Sequence, residues 1–217
     1  MEHEESLRDF LIHSASEFGV TLSGQQARQF LVYLDELRQW NRVTNLTSIN
    51  DPQEIVIKHF IDSLTSLATL DFPPQSVVID VGTGPGFPGI PLKIARNDIQ
   101  LVLIEPAQKK CSFLHSIIGT LKLRDTSVFV GTLQQYVAQN EFVRGDVIVL
   151  RALRFDEIEM SLLKALKNTG KLALYRTETA VSKIESRLFG IQLEKSFSLP
   201  MDQGHRVITV LSPIGQT

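Results

Sequence analysis

The stretch VVIDVGTGPGFPGIPL, residues 77–92, decides how this chain is read. An apolar run ending in Asp80 and Val81 reads as a buried strand, and Gly82, Gly84, Gly86 and Gly89 follow it. Glycines at such a place permit a tight turn and let a ligand approach the backbone. Further on, Glu105 closes the next apolar run, QLVLIE. An acid at the end of a second parallel strand can sit beside the ribose hydroxyls of an adenosine cofactor. Gly84, Gly86 and Gly89 also satisfy G-x-G-x-x-G, so a nicotinamide or flavin enzyme stands as an alternative. A pyrophosphate, however, rests on free backbone N–H groups at the start of the next helix, and Pro85, Pro88 and Pro91 have none. S-adenosylmethionine carries no phosphate. It offers an adenosine for Glu105, a cationic sulfonium, and an amino-acid end suited to Asp80 and a loop of glycines.

Downstream, short β-rich runs (SVFVG, DVIVL, GKLALY) alternate with segments of helical spacing, KKCSFLHSIIGTLKL and FDEIEMSLLKALKN. Alternating strand and helix predicts a mostly parallel sheet covered on both faces. The last two strand-like runs, GIQLEKSFSLP and HRVITVLS, are joined by a short turn containing MDQG, so the sheet is expected to end in an antiparallel hairpin.

Upstream, residues 1–75 read as a helical region. Ala27, Phe30, Leu34, Leu37 and Asn41 fall on one stripe of a helix over 25–42, widened by Leu31 and Trp40. Asp51, Pro52 and Glu54 form a capping-box-like start for a helix carrying Ile57, Ile61 and Leu64. The segment DFPPQ at 71–75 stops that helix and reads as a linker, placing a second region at 76–217. Charge divides at the same place: residues 1–75 hold 5 Lys/Arg and 11 Asp/Glu, and the remainder 17 and 13. A balance of −6 against +4 suggests different duties for the two regions.

The whole chain of 217 residues carries a net charge of −2, with 43% hydrophobic and 21% charged residues. That balance excludes a disordered chain and a supercharged nucleic-acid tail. No apolar run approaches membrane-spanning length, and the acidic opening MEHEESLRDF is not a secretory signal, so a cytoplasmic address is expected. Cys111 is the single cysteine, which leaves neither a disulfide framework nor a thiolate metal site.

Five stretches together resemble one family: QWNRVTNLTSINDPQEIVIKHFIDSL at 39–64, IDVGTGPGFPGIPL at 79–92, KKCSFL at 109–114, DVIVLRAL at 146–153 and GHRVITV at 204–210. The chain is similar to the bacterial 16S rRNA guanine-N7 methyltransferases, also called the glucose-inhibited division protein B family. The resemblance implies a class I S-adenosylmethionine-dependent methyltransferase: a Rossmann-like, seven-stranded α/β sheet behind a small helical N-terminal region. It also implies that the substrate is a guanine in the decoding-region loop of 16S rRNA, met in the 30S subunit or an assembly intermediate, by a monomer.

Carried over residue by residue, Gly82 and Phe87 look like cofactor-contacting positions, and Leu133 and Gln134 look like the pair that meets the adenine, with Thr132 beside them. Arg151 looks like the family's arginine near cofactor and substrate. Asn45, His59 and Arg206 match further positions around the cleft. The chain departs from the family at Thr132 (often arginine), Gln134 (often glutamate), Leu150 (usually serine) and Tyr175 (often lysine), with Arg176 a candidate substitute for that lysine. A cofactor-binding ribosome-assembly factor without turnover is therefore a further alternative.

Guanine N7 bears a lone pair and no proton, so its methylation needs no general base. The chain accordingly lacks an N/D-P-P-aromatic motif and a Pro-Cys nucleophile. A guanidinium at the ring would oppose the positive charge developing on the purine, so Arg151 is expected at a phosphate, the cofactor carboxylate or guanine O6. The base must be extruded, with Phe87 and Tyr175 as candidate stacking partners. His59 and Asp62 are expected to share a helix face, with His59 hydrogen-bonding rather than transferring protons.

Overall fold

The computed structural model describes residues 2–177 and 184–214. Two long helices come first, α1 (Glu2–Glu17) and α2 (Gly24–Thr44). α2 starts on a reciprocal capping box between Ser23 and Gln26 and ends at Asn45, whose left-handed backbone (φ 50°) turns the chain. Next comes a broken helix: α3 (Pro52–Ile55), a π-helical segment Val56–Ile61, and α4 (Asp62–Leu64). Asp51 caps α3 through the Glu54 N–H, but Glu54 pairs with Lys58 at 2.7 Å instead of completing the box. The π segment was not expected from the periodicity, which reads one continuous helix.

The remainder alternates as anticipated: β1 (Val77–Val81), α5 (Gly89–Ala95), β2 (Gln100–Glu105), α6 (Gln108–Leu121), β3 (Thr126–Val130), α7 (Leu133–Tyr136), β4 (Gly145–Arg151), α8 (Phe155–Ala165), β5 (Leu166–Thr177), β6 (Phe189–Ser198) and β7 (His205–Pro213). The strands form a seven-stranded sheet in the order β3-β2-β1-β4-β5-β7-β6. β1 to β5 pair in parallel, while β7 runs antiparallel to both β5 and β6. The order reverses between β1 and β4, and ligands of such sheets bind beyond the strand ends at that point.

Alternate residues of β1 serve two cores. Val77 and Ile79 face a cluster built with α7 and α8 residues such as Leu133 and Leu162. Val78 faces a larger cluster that takes in Phe113 of α6, Phe30 and Leu37 of α2, and Phe60 and Leu64 of the broken helix. The N-terminal helices thus share one apolar layer with α5 and α6. The segment at 71–75 is part of this packing: Phe72 is buried, and its carbonyl accepts a 2.7 Å hydrogen bond from Arg96. Among the described residues, no helix is long and apolar enough to cross a membrane.

Candidate active site

The glycine loop is closed by its own hydrogen bonds. The Gly82 and Thr83 amides donate to Ile104 O (2.9 and 3.2 Å), and those of Gly86 and Phe87 donate to Thr83 O (3.0 and 2.8 Å). The Gly84 amide donates to Glu105 Oε2 at 2.9 Å, that of Gly89 to Asp80 Oδ2 at 2.7 Å, and that of Ile90 to Gly86 O at 2.8 Å. Pro85 and Pro88 have no amide hydrogen to give. Every N–H from residue 82 to residue 90 is therefore engaged, which removes the donors a pyrophosphate requires. The nicotinamide or flavin alternative fails on this geometry. A phosphate-free adenosine ligand fits it: Gly84, with φ +61°, has nothing within 4 Å of where a Cβ would stand.

Glu105 ends β2 beside this space. Its other oxygen accepts from the Ala107 amide (2.9 Å), and its carbonyl accepts from the Gly131 amide (3.0 Å). The turn at Gly131 thereby lies against the end of β2. Within that turn Thr132 caps α7 in a reciprocal box with Gln135, Gln134 is exposed, and Leu133 turns its side chain into the core. The Leu133 side chain is thus not available to an adenine. Asp80 also differs from expectation. It is fully buried and turned inward, holding Thr83 Oγ1 at 2.6 Å and the start of α5 through Gly89. Its Oδ1 has no partner, and burial raises its pKa to about 6. Asp80 braces the loop rather than presenting a carboxylate to a ligand.

Tyr33 on α2 touches the same loop, and the apolar stripe read from the sequence omits it. Its hydroxyl donates to Pro85 O at 2.6 Å, and its ring stacks on Phe87 and Phe60. The signal was present: residue 33 falls on the face of Phe30, Leu34 and Leu37. Phe87 is buried between these groups and His59, against which it stacks at 4.5 Å. Tyr175 is also buried and donates to Ser63 O at 2.6 Å. Neither ring is open to an extruded base, so of the two candidate stacking partners both are structural.

A second group of residues meets beyond the ends of β4 and β5. Arg151, the last residue of β4, donates from Nη1 to Asp62 Oδ2 at 3.0 Å and Lys58 O at 3.3 Å. Its Nη2 lies 3.2 Å from His59 Nδ1, and its guanidinium lies over Phe87 at 5.3 Å. Because a guanidinium only donates, His59 Nδ1 is the acceptor and Nε2–H donates to Thr47 Oγ1 at 2.9 Å. Burial and the neighbouring Arg151 charge lower the His59 pKa to about 3, so the ring is neutral. Arg206, at the start of β7, closes on Asp62 from the other side, Nη2 to Oδ2 at 2.7 Å and Nε to Oδ1. Asn45 stands apart from this cluster, exposed at the end of α2. It begins the turn on which Thr47 is pinned, with the Asn41 side chain bonded to both the amide and carbonyl of Thr47 at 2.9 Å.

His59, Arg151 and Arg206 line a cavity of about 1190 Å³. Its rim adds Lys58, Arg154 and Arg176, each beside a carboxylate of its own, so the positive character of the cavity rests on Arg151 and Arg206. Leu150, a departure from the serine usual in the family it resembles, is buried in the sheet, whereas Arg176 reaches the cavity wall. Leu153 is shared between the two halves of the site. It lines the cavity, is 44% exposed, and packs so closely on Gly82 that a Cβ there would stand 2.6 Å from its Cδ1. The glycine loop and the basic cavity therefore adjoin across one side chain. Cys111 takes no part in either; it is buried and donates to Glu105 O at 3.1 Å.

The chain is similar to the ribosomal RNA small subunit methyltransferase G of Bacillus subtilis, 31% identical over 93% of this chain and 88% of that one. It is equally similar to that of Oceanobacillus iheyensis, 31% identical over 95% and 90%, and 43% identical to that of Syntrophus aciditrophicus over 64% and 58%. In fold it resembles MtNAS solved in complex with MTA and tNA, with a TM-score of 0.61 and 13% identity over 84% of this chain and 70% of that one. TrmN of Thermus thermophilus gives a TM-score of 0.57 and 13% identity over 73% of this chain, which spans about half (53%) of that protein. The family described as GidB, rRNA small subunit methyltransferase G, matches residues 26–209. With the match covering most of the chain, this protein belongs to the rRNA small subunit methyltransferase G family.

Proposed function

We propose that this protein methylates N7 of a guanine in the decoding-region loop of 16S rRNA, acting as a monomer on the 30S subunit or an assembly intermediate in the cytoplasm. S-adenosylmethionine supplies an electrophilic methyl group on a sulfonium. Glu105 meets the ribose; Gly82, Gly84 and Gly86, with Thr132, Gln134 and the backbone of Leu133, form the walls around the adenosine. Asp80 and Phe87 act from behind the loop, keeping its shape. His59, Arg151 and Arg206 face the RNA side. Asn45 directs the turn that brings Thr47 to His59. In this division residues 76–217 bind the donor, and the substrate side is shared between His59 of residues 1–75 and the two arginines of 76–217.

Transfer forms the N7–carbon bond from the N7 lone pair and breaks the sulfur–carbon bond, leaving its electron pair on sulfur. No proton moves, and His59 is not poised to take one. His59 has both ring nitrogens committed, and its lowered pKa keeps it neutral. Arg151 is tethered to Asp62, so its charge is fixed at the cavity wall rather than swinging onto the ring that becomes cationic. The protein's contribution is placement.

The observation that carries this reading is the saturation of every amide from residue 82 to residue 90, which selects an adenosine donor lacking phosphates. The test is incubation with labelled S-adenosylmethionine and 30S particles lacking the modification. Label at one guanine of 16S rRNA, cleavable by chemistry selective for N7-methylguanine, is expected. Donor binding without label in the RNA would overturn the assignment in favour of an assembly factor.

A further inference from the structure

Lys58, Arg154 and Arg176 on the cavity rim each face carboxylates of their own: Glu54 at 2.7 Å, Asp156 and Glu157 at 3.0 Å, and Glu194 at 3.9 Å. Arg151 and Arg206 differ. Among the described residues they contact a single carboxylate between them, that of Asp62. Asp62 is fully buried, whereas the two arginine side chains are 17% and 13% exposed. The three side chains therefore form a unit with one surplus positive charge, held at the cavity wall and partly shielded from water.

The carboxylate comes from the helical region and the arginines from β4 and β7, so the unit joins the N-terminal layer to the ends of two strands of the sheet. A buried ion pair of this kind is a weak source of stability, because desolvation offsets most of its attraction; its distinctive effect is to fix where charges stand. Local geometry points the same way. The π segment Val56–Ile61 inserts just before Asp62, and such insertions frequently mark functional sites. It leaves His59 and Asp62 both directed at Arg151.

We propose that Asp62 is the positioning residue of the cleft: it locks Arg151 and Arg206 into one rigid pair whose net single charge receives one phosphodiester of the target RNA strand. This rests on the RNA-methyltransferase reading and adds to it a residue that touches neither donor nor base. By holding one charge of two, Asp62 also keeps the arginines from gathering RNA indiscriminately.

The test compares wild type, Asp62→Asn and Arg206→Lys, using S-adenosylmethionine binding by calorimetry and methylation of unmodified 30S particles over a range of salt. Asp62→Asn is expected to keep donor affinity within about threefold and to lower kcat about a hundredfold. It should also steepen the salt dependence of RNA binding by about 0.7 in slope, as a freed guanidinium takes an extra phosphate. A merely structural residue would not produce that steepening. Unchanged turnover, an unchanged slope, or donor binding lost along with turnover would each overturn the proposal. Should Asp62→Asn fail to fold, Arg206→Lys decides. It keeps the charge but not the two-point contact, and a roughly tenfold rise in KM for the particle at constant donor affinity is expected; an unchanged KM overturns the proposal. A wild-type protein that leaves the particles unlabelled would refute the function itself, a result distinct from an active wild type with equally active variants.

Discussion

The two halves of the site are made in opposite ways. The glycine loop is made mostly by backbone: its amides bond to carbonyls of Thr83, Gly86 and Ile104 and to two carboxylates near the ends of β1 and β2. The arginine cluster is assembled only by folding, from side chains at positions 59, 62, 151 and 206. The loop should therefore be sensitive to anything that adds atoms near its backbone and indifferent to distant charge. The cluster should behave the other way.

Gly86→Ala is the most severe way to separate them. Gly86 has φ +109°, and a Cβ there would meet Ile90 Cδ1 at 2.5 Å and the Tyr33 hydroxyl at 2.6 Å. Strain and displacement together should destabilise the fold by about 3 kcal/mol. Calorimetry should show donor affinity falling about a hundredfold; a variant that binds the donor normally would break the contrast.

Next in size is a pH effect belonging to the cluster. His59 titrates near 3 in the folded protein but near its ordinary 6.5 when unfolded. Between those values the unfolded chain binds a proton that the native chain refuses, so the stabilisation is complete above pH 6.5 and is lost as pH falls. Asp80 has the opposite sign. Its pKa is raised to about 6, so between its ordinary value and 6 it adds stability as pH falls, flattening the wild-type curve. Comparison with His59→Gln removes the Asp80 contribution. Denaturant unfolding should show the stability difference between the two proteins shrinking by about 2.5 kcal/mol from pH 7 to pH 4.5, and a pH-independent difference would refute this.

Tyr33→Phe tests the bridge from the helical layer to the loop. It keeps the stacking on Phe87 and removes only the bond to Pro85 O, so a loss of about 1 kcal/mol in stability is expected. Donor affinity should fall about fivefold with KM for the RNA unchanged. Smallest of all, Cys111→Ala should leave methylation rates within about twofold, since the thiol is buried behind β2 and belongs to neither half. A large loss of turnover with donor affinity retained would give the thiol a role that the geometry denies it.

What was legible in the sequence follows the same line. β1 and β2 were bounded from their apolar runs, and the closing hairpin from two strands about a short turn, because these depend on neighbouring residues. Glu105 was placed correctly at the end of β2 for the same reason. The π segment leaves no mark in the periodicity, because one extra residue in a helix keeps hydrophobic spacing almost intact over so short a stretch. Phe72 looked like linker because the prolines around it mark a turn, while its burial depends on Arg96 and the helices above. The roles of Asp62 and Tyr33 were the least visible, since their partners lie at Arg151, Arg206 and Pro85, distances along the chain that no local pattern spans.

The self-bonded state of the loop also bears on the thermodynamics of recognition. A segment already braced by Asp80, Glu105 and Tyr33 surrenders little conformational freedom when a ligand settles on it. The enthalpy of each new contact is then opposed by only a small ordering penalty, so even a compact metabolite with few polar handles can be retained by a preorganised receptor of this kind.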